Sequence, residues 1–150
     1  MDAFELLEQD HRKVEKIFEQ LEPTTERAVK TREELFERLK HELDVHTHIE
    51  ETILYPVLKQ VAETRDITFE GYEEHGVAKT LLEEMNSMDV NSEVWTAKLK
   101  VLQEAIEHHV EEEEGEMFKD ARSALSQEQI DEIGEKMQLR KKQLAASASA

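Results

Sequence analysis

Four histidines and two glutamates of this sequence occupy positions that helical periodicity assigns to apolar side chains. They are His11, His46, Glu50, His75, His109 and Glu113. Burying a carboxylate is costly, and no Lys or Arg shares these positions, so bound cations would resolve the conflict. Because the sequence has no cysteine, the pattern predicts a metal site built from nitrogen and oxygen ligands.

The first of these residues shows how helical periodicity places it. Apolar side chains recur at alternating steps of three and four residues, at Phe4, Leu7, Val14, Phe18 and Leu21. Such steps keep side chains on one face of a helix, and His11 fills the one gap in the series. His11 is therefore expected to point into the protein interior.

Two longer helices carry the same kind of interruption. His46 and Glu50 interrupt the apolar stripe of a second helix, and His109 and Glu113 interrupt that of a fourth. His75 begins the stripe of a third helix. Residues four apart on a helix point the same way and lie roughly 6 Å apart along its axis, so each His-x-x-x-Glu pair can grip one metal cluster.

The periodicity and capping signals predict an all-α protein, an antiparallel up-down four-helix bundle with an additional C-terminal helix. Asp2, Thr24 or Thr25, and Asn91 or Ser92 are the expected N-caps, Ser126 forms a capping box with Gln129, and Pro56 predicts a kink near residues 52–56. The five helices are expected over residues 3–22, 24–63, 69–88, 92–124 and 126–144.

Three segments follow from these elements. The bundle is expected over residues 1–125, and the amphipathic helix of 126–145 packs on it or forms a dimer contact. Residues 146–150, a run of Ala and Ser, are expected to be a disordered tail.

Composition limits the partners. The formal net charge of −17 disfavours nucleic acid and anionic membranes, because both repel an acidic surface. No apolar run is long enough to span a bilayer, and the acidic N-terminus does not resemble a signal peptide. We therefore expect a cytoplasmic protein, a monomer or weak homodimer, that acts on small molecules.

An internal repeat strengthens the metal-site prediction. Residues 46–51 align with residues 109–114, which pairs both histidines and both pairs of acids, and Tyr55 then aligns with Phe118. His11 precedes His46 by about the same number of residues as His75 precedes His109. The bundle is expected to be two related helix pairs around a pseudo-symmetric site for two metal ions.

These motifs resemble those of the hemerythrin family, specifically the hemerythrin-like HHE cation-binding domains, over about Leu6 to Arg122. The segments that carry the resemblance are residues 9–11, 46–56, 74–75 and 108–118. The resemblance implies two iron ions joined by an oxo or hydroxo bridge and reacting with oxygen species. Imidazole and carboxylate would also accept manganese or zinc.

Two departures from the oxygen-carrying hemerythrins affect the expected chemistry. Gly71 stands where their third helix has an additional histidine, and Glu113 replaces an aspartate one residue further on. The pattern instead resembles hemerythrin-like proteins of the H-HxxxE-H-HxxxE type, which implies peroxide chemistry of a catalase-like kind. Tyr72, beside the vacant position, is a candidate metal ligand or hydrogen-bond partner for peroxide, the alternative being a tyrosine packed at the bundle rim.

Other polar residues near the motifs are expected to be solvated. His41, His48 and His108 lie one or two positions off the apolar stripes, although His48 and His108 adjoin the candidate ligands. Glu51 and Glu114 are interpreted as surface acids, with hydrogen bonding to ligand imidazoles as the alternative.

The resulting functional prediction is a non-haem di-iron protein that breaks down hydrogen peroxide in a catalase-like reaction. The alternative is non-enzymatic binding of dioxygen, nitric oxide or iron at the same centre, for sensing or storage. Ferritin-like ferroxidase chemistry and a metal-free interaction bundle are further alternatives. The first lacks that family's Glu-x-x-His elements on the stripes, and the second leaves Glu50 and Glu113 unexplained.

Overall fold

The computed structural model describes the backbone of residues 1–149 and the side chains up to residue 147. Its helices form an antiparallel bundle of four with a fifth helix added, as the sequence predicts, and there is no strand within residues 1–149. Helices one, three and five are Ala3–Leu21, Arg65–Asn86 and Gln127–Ser149. Helix two comprises Val29–Ile49, Glu50–Leu54 and Tyr55–Leu58, and helix four comprises Glu93–Glu112, Glu113–Met117 and Phe118–Ala124.

Side-chain caps begin three of the five helices where the sequence predicts them. The Asp2 carboxylate accepts hydrogen bonds from the amides of Phe4 and Glu5, and the Ser92 hydroxyl accepts one from Trp95. Ser126 and Gln129 exchange hydrogen bonds in the expected capping box. These caps satisfy amides that have no partner within the helix.

The second helix starts later than the sequence predicts, at Val29 instead of following Thr24 or Thr25. Arg32 accounts for the difference. Its fully buried guanidinium donates to the hydroxyl and the carbonyl of Thr24 and to the carbonyl of Val90. The connection before the helix is therefore held as a loop that joins Arg32 to the loop at the start of helix four.

Helices two and four each contain a π-helical turn that begins at the glutamate of the His-x-x-x-Glu pair. In these turns the amide of Tyr55 donates to the carbonyl of Glu50, and that of Phe118 donates to Glu113. Pro56 lacks an amide hydrogen, so a disturbance near it was predicted for helix two. Helix four has no proline, and its matching turn was not predicted. Single π turns within α-helices are frequently found at functional sites.

The apolar core is divided into two clusters along the bundle axis. The lower cluster contains Phe4, Leu7 and Phe118, and the upper cluster contains Val14 and Trp95. The predicted metal ligands lie between the two clusters, as the position of His11 between Leu7 and Val14 shows. A layer of polar side chains is thus enclosed by apolar packing on both sides.

The fifth helix packs on the bundle through Ile130, Ile133 and Met137, which are buried in the lower cluster. This matches one of the two placements considered for it. The helix continues through residue 149, so residues 146–149 are helical where a disordered tail was expected, and residue 150 lies outside the described residues. Among the described residues no helix is both long enough and apolar enough to cross a membrane.

Gly134 permits the close contact between the fifth helix and the N-terminus. A Cβ atom there would lie 2.7 Å from the Ala3 amide nitrogen and 2.9 Å from the Met1 carbonyl oxygen. Because these are backbone atoms, Gly134→Ala should lower the free energy of unfolding by about 1–3 kcal/mol. A Cβ at Gly76 would meet nothing within 4 Å, so Gly76→Ala should raise it by about 0.5–1 kcal/mol. Urea unfolding of both variants tests the contrast, and equal effects would contradict the packing of helix five.

Candidate metal centre

The six candidate ligands converge in the polar layer and are almost completely buried. Two overlapping groups have ligand atoms within 4.8 Å of one another. The first group is His11, His46, Glu50 and Glu113, and the second is Glu50, His75 and His109. We call the space beside His11 and His46 the first position and the space beside His75 and His109 the second position. Glu50 belongs to both groups and so joins the two positions.

The two carboxylates connect the positions with nearly equal distances. Glu50 Oε1 lies 3.1 Å from His46 Nε2 and 3.0 Å from His75 Nε2. Glu113 Oε1 lies 3.0 Å from His11 Nε2 and 3.4 Å from His109 Nε2. Ligands about 2.1 Å from one ion lie about 3.0–3.4 Å apart at neighbouring coordination positions. The side chains therefore have the spacing of metal ligands.

Unpaired polar atoms in the layer also fit bound cations. Glu50 Oε2 and His46 Nε2 are buried without a hydrogen-bond partner, although Glu50 Oε1 lies near the imidazole. The Nε2 atoms of His75 and His109 face each other at 3.2 Å. Buried acceptors that face one another require a proton or a cation between them. Hard or borderline divalent ions suit this set of oxygen and nitrogen donors.

Four carboxylates surround the imidazoles and hold their outward nitrogens. We call them the outer ring: Asp10, Glu51, Glu74 and Glu114. The Nδ1–H groups of His11, His46, His75 and His109 donate to Glu114, Asp10, Glu51 and Glu74 over 2.6, 3.2, 2.7 and 2.6 Å respectively. Each imidazole is thereby fixed with Nε2 directed inward, the usual arrangement around metal-binding histidines.

Sequence reasoning placed part of this ring wrongly and missed the rest. Glu51 and Glu114 were interpreted as surface acids, but the structure shows the alternative considered for them, since each accepts a hydrogen bond from an imidazole. Asp10 and Glu74 were not singled out. A signal was present, because every member of the ring is adjacent in sequence to a candidate ligand. Asp10 precedes His11, for example, and serves an imidazole on the neighbouring helix.

Opposite charges within the layer shift one another's pKa values. Burial opposes the charged imidazole of His46, but the Glu50 carboxylate raises the pKa of His46 well above its ordinary value. Burial likewise opposes charge on His109, and Glu113 raises the pKa of that imidazole. Burial alone would raise the pKa of Glu113, but the charge of His109 holds it well below its ordinary value. In the metal-free protein, protons on imidazoles thus balance the carboxylates.

Tyr55, not Tyr72, lies against the candidate ligands. Its fully buried hydroxyl donates to Glu113 Oε2 at 2.7 Å and lies 3.4 Å from His75 Nε2. Burial, followed by the charge of Glu113, raises the pKa of Tyr55 well above its ordinary value. Tyr72 packs edge-on against the Tyr55 ring, and among the described residues its hydroxyl makes no hydrogen bond to any of the six candidates. The role considered for Tyr72 therefore fits Tyr55 better.

A cavity of about 530 Å³ is lined by the four imidazoles and mainly by residues of helices two and three. Its inner wall is apolar and includes Leu43, Leu82 and Ile106, while Thr47 and Tyr72 are among the polar residues that line it. Tyr55 does not line it, so the space approaches the imidazoles from another direction. The cavity thus places open space against the imidazole side of the candidate ligands.

A family model of the hemerythrin HHE cation binding domain matches residues 2–121. The chain belongs to this family. Its His and Glu clusters are accordingly those of a hemerythrin-like cation-binding domain, as the sequence motifs predicted. The match ends within helix four, so the fifth helix lies outside the part of the chain that defines the family.

Two relatives of this hemerythrin-like protein differ in how much of their length they share with it. A hemerythrin HHE cation binding domain-containing protein from Mycobacterium kansasii has the same fold, with a TM-score of 0.85, 23% identity, and coverage of 99% of this chain and 90% of that one. A protein of Nostoc sp. named DNA nickase is 27% identical over 132 residues. The match covers 88% of this chain but only 37% of the Nostoc protein.

The histidines off the apolar stripes lie outside the centre of this hemerythrin-like domain. The His108 side chain is 65% exposed and pairs with Glu112, whereas His109 is buried among the ligands. His48 accepts a hydrogen bond from Arg140 on the fifth helix, and His41 is exposed. The structure therefore places His109 rather than His108 in the ligand layer.

Gly71 provides the space that Tyr55 occupies in this member of the family. A Cβ atom at Gly71 would lie 2.9 Å from the Tyr55 hydroxyl and 3.1 Å from its ring. Gly71 stands where the oxygen-carrying hemerythrins have an additional histidine, and the space beside it is therefore filled by Tyr55 of helix two.

The contact predicts a specific effect of Gly71→Ala. We expect it to displace the Tyr55 ring and lower the free energy of unfolding by about 1–3 kcal/mol. Gly76→Ala, on the same helix, is the matched control, since its Cβ is unopposed. Denaturation and tyrosine NMR resonances measure both effects. An unshifted Tyr55 resonance in Gly71→Ala would contradict this account of the vacant position.

Proposed function

We propose that this protein holds two iron ions at the first and second positions and breaks down hydrogen peroxide in a catalase-like reaction. The supporting observation is the pair of ligand groups that share Glu50 and receive a cavity at their imidazole side. Iron is favoured over other ions by the family resemblance, because the donor atoms alone would also suit manganese or zinc.

The bound ions would supply the redox chemistry, and the protein side chains hold and orient them. Glu50 and Glu113 span the two positions, while the outer ring keeps the imidazole Nε2 atoms directed inward. The overall reaction converts two peroxide molecules into two waters and one dioxygen. It balances without an external reductant, so the domain needs only an entry route for peroxide.

We further propose Tyr55 as an additional ligand at the second position. Its hydroxyl oxygen lies 3.4 Å from His75 Nε2, a separation that suits neighbouring ligands of one ion. In the metal-free protein this hydroxyl keeps its proton and donates a hydrogen bond to Glu113. At the equivalent place of the first position lies Phe118, whose ring stacks on His11 as Tyr55 stacks on His75.

The access cavity supports a small oxidant as substrate. A water molecule occupies roughly 30 Å³ in the liquid, so a cavity of about 530 Å³ admits peroxide readily. The net charge of −17 opposes DNA binding, and we do not propose nicking of DNA for this chain. Dioxygen or nitric oxide would enter by the same route.

Iron analysis and an oxygen electrode test the proposal together. Protein loaded with iron should contain about two ions per chain and release dioxygen when peroxide is added. Absence of iron in carefully loaded protein would overturn the centre itself. Two bound ions without gas release would overturn the catalase-like reaction and support binding for sensing or storage.

The tyrosine assignment has a separate optical test. If Tyr55 ligates iron, the loaded protein should show a phenolate-to-iron charge-transfer band that Tyr55→Phe removes. Tyr72→Phe is the matched control and should retain the band. Loss of the band in Tyr72→Phe alone would return the assignment to Tyr72.

A further inference from the structure

The outer ring carries different net charge on the two sides of the centre. At the first position, both ring carboxylates also contact a cationic side chain. Lys141 Nζ lies 2.5 Å from Asp10 Oδ1, and the other carboxylate oxygen of Asp10 accepts from His46. Arg12 contacts the Glu114 oxygen that accepts from His11.

The corresponding carboxylates of the second position have no such partner. Within the described residues no Lys or Arg lies within ion-pair distance of Glu51 or Glu74. Besides the His109 imidazole, the charged or titratable groups beside Glu74 are the His108 imidazole, at 3.7 Å, and the carboxylate of Glu112. The second position also has the hydroxyl of Tyr55, where the first has the phenyl ring of Phe118. The helices are arranged with approximate two-fold symmetry around the centre, but the charges beside the first and second positions therefore differ.

Lys141 is the more consequential of the two cations. It belongs to the fifth helix, outside the residues matched by the family model, and reaches a carboxylate that is almost fully buried. Arg12 is more than half exposed, so solvent screens its charge. The pathway from Lys141 through Asp10 to His46 joins the added helix directly to the ligand layer.

Charge on the outer ring changes how strongly an imidazole binds a cation. A carboxylate that accepts from Nδ1–H makes the imidazole a stronger donor at Nε2. A lysine paired with that carboxylate weakens this effect and adds a positive charge that repels the incoming ion. Both contributions lower metal affinity at the first position.

We propose that the second position binds metal more tightly and fills first, and that Lys141 is a positioning residue that sets the difference. This inference rests on the metal centre of the proposed function but not on its peroxide reaction. Lys141 acts through Asp10 and is not among the candidate ligands.

The filling order is tested by titrating metal-free protein with Zn²⁺ as a diamagnetic probe. Imidazole nitrogen resonances report which histidines bind. The first equivalent should shift His75 and His109, and the second should shift His11 and His46. Simultaneous shifts of all four, or shifts of His11 and His46 first, would overturn the order. If no equivalent binds, the metal centre itself fails.

Calorimetry of lysine variants tests the role of Lys141. Lys141→Met should tighten the weaker Zn²⁺ site by ~3–10-fold, a smaller change than the loss of an outer-shell partner produces. Lys142→Met, exposed on the same helix and with the same change of charge, should leave both affinities unchanged, and Lys141→Arg should retain the weak site. If the role of Lys141 is purely structural, its removal would weaken Zn²⁺ binding or leave it unchanged. Weakened or unchanged binding in Lys141→Met would therefore overturn the proposal.

Discussion

Glu50→Ala is expected to abolish high-affinity binding of both metal ions, whereas Glu111→Ala should leave two ions bound. Glu50 belongs to both ligand groups, and one of its oxygens lies about equally far from His46 and His75. Removing it therefore takes a ligand from both positions. We expect affinity to fall by about 100-fold or more at each. Glu111 is exposed and provides the same change of charge nearby.

Metal analysis after dialysis, together with circular dichroism, measures this effect. Glu50→Gln preserves the size of the side chain and separates loss of a ligand from loss of packing. It should fold as the parent protein does and still lose metal. Retention of two ions by the folded Glu50→Gln protein would show that Glu50 does not link the positions.

Metal removal should change how stability depends on pH. In the metal-free protein the raised pKa values of His46 and His109 stabilise the fold fully below the unfolded-state value, about 6.5. This contribution is lost as pH rises from there through the folded-state values. The lowered pKa of Glu113 acts at low pH, because its contribution to stability is lost as pH falls through the folded-state pKa of this carboxylate. The metal-free fold should thus be most stable at mildly acidic pH.

Bound cations replace these protons and reverse the trend above neutrality. Metal affinity should rise with pH because protons no longer compete for the imidazoles. At a free metal concentration 100 times the dissociation constant, the melting temperature should rise by ~5–10 °C. Thermal melts of metal-free and metal-loaded protein from pH 6 to 9 measure the rise in melting temperature and its dependence on pH. If the melting temperatures of the two forms changed with pH in the same way, cations and protons would not exchange in the layer.

Much of the fold follows from patterns in the sequence. Alternating steps of three and four residues placed His11 inside, and the same periodicity separated His109 from His108. Asp2 and Ser92 have short side chains that suit helix starts, and they cap as predicted. Thr24 has a similar side chain but binds Arg32 instead, because tertiary contacts outweigh a local preference.

The parts of the site that sequence reasoning missed have two physical causes. Tyr55 is five residues beyond Glu50, and in a regular α-helix that spacing would place Tyr55 off the face that carries the ligands. The π turn adds a residue and brings the two side chains to one centre. Asp10 and Glu74 were missed because acids on helices are mostly solvated, and only the crossing of neighbouring helices brings them to the imidazoles.

The paired π turns also account for an aromatic ring against a candidate ligand in each half of the bundle. Each contains one residue more than a regular helical turn, and the two extra residues occupy the same place in both halves, immediately after His-x-x-x-Glu. The residue that follows each turn therefore faces the polar layer in both halves, and its ring stacks on a candidate ligand: Tyr55 on His75, and Phe118 on His11.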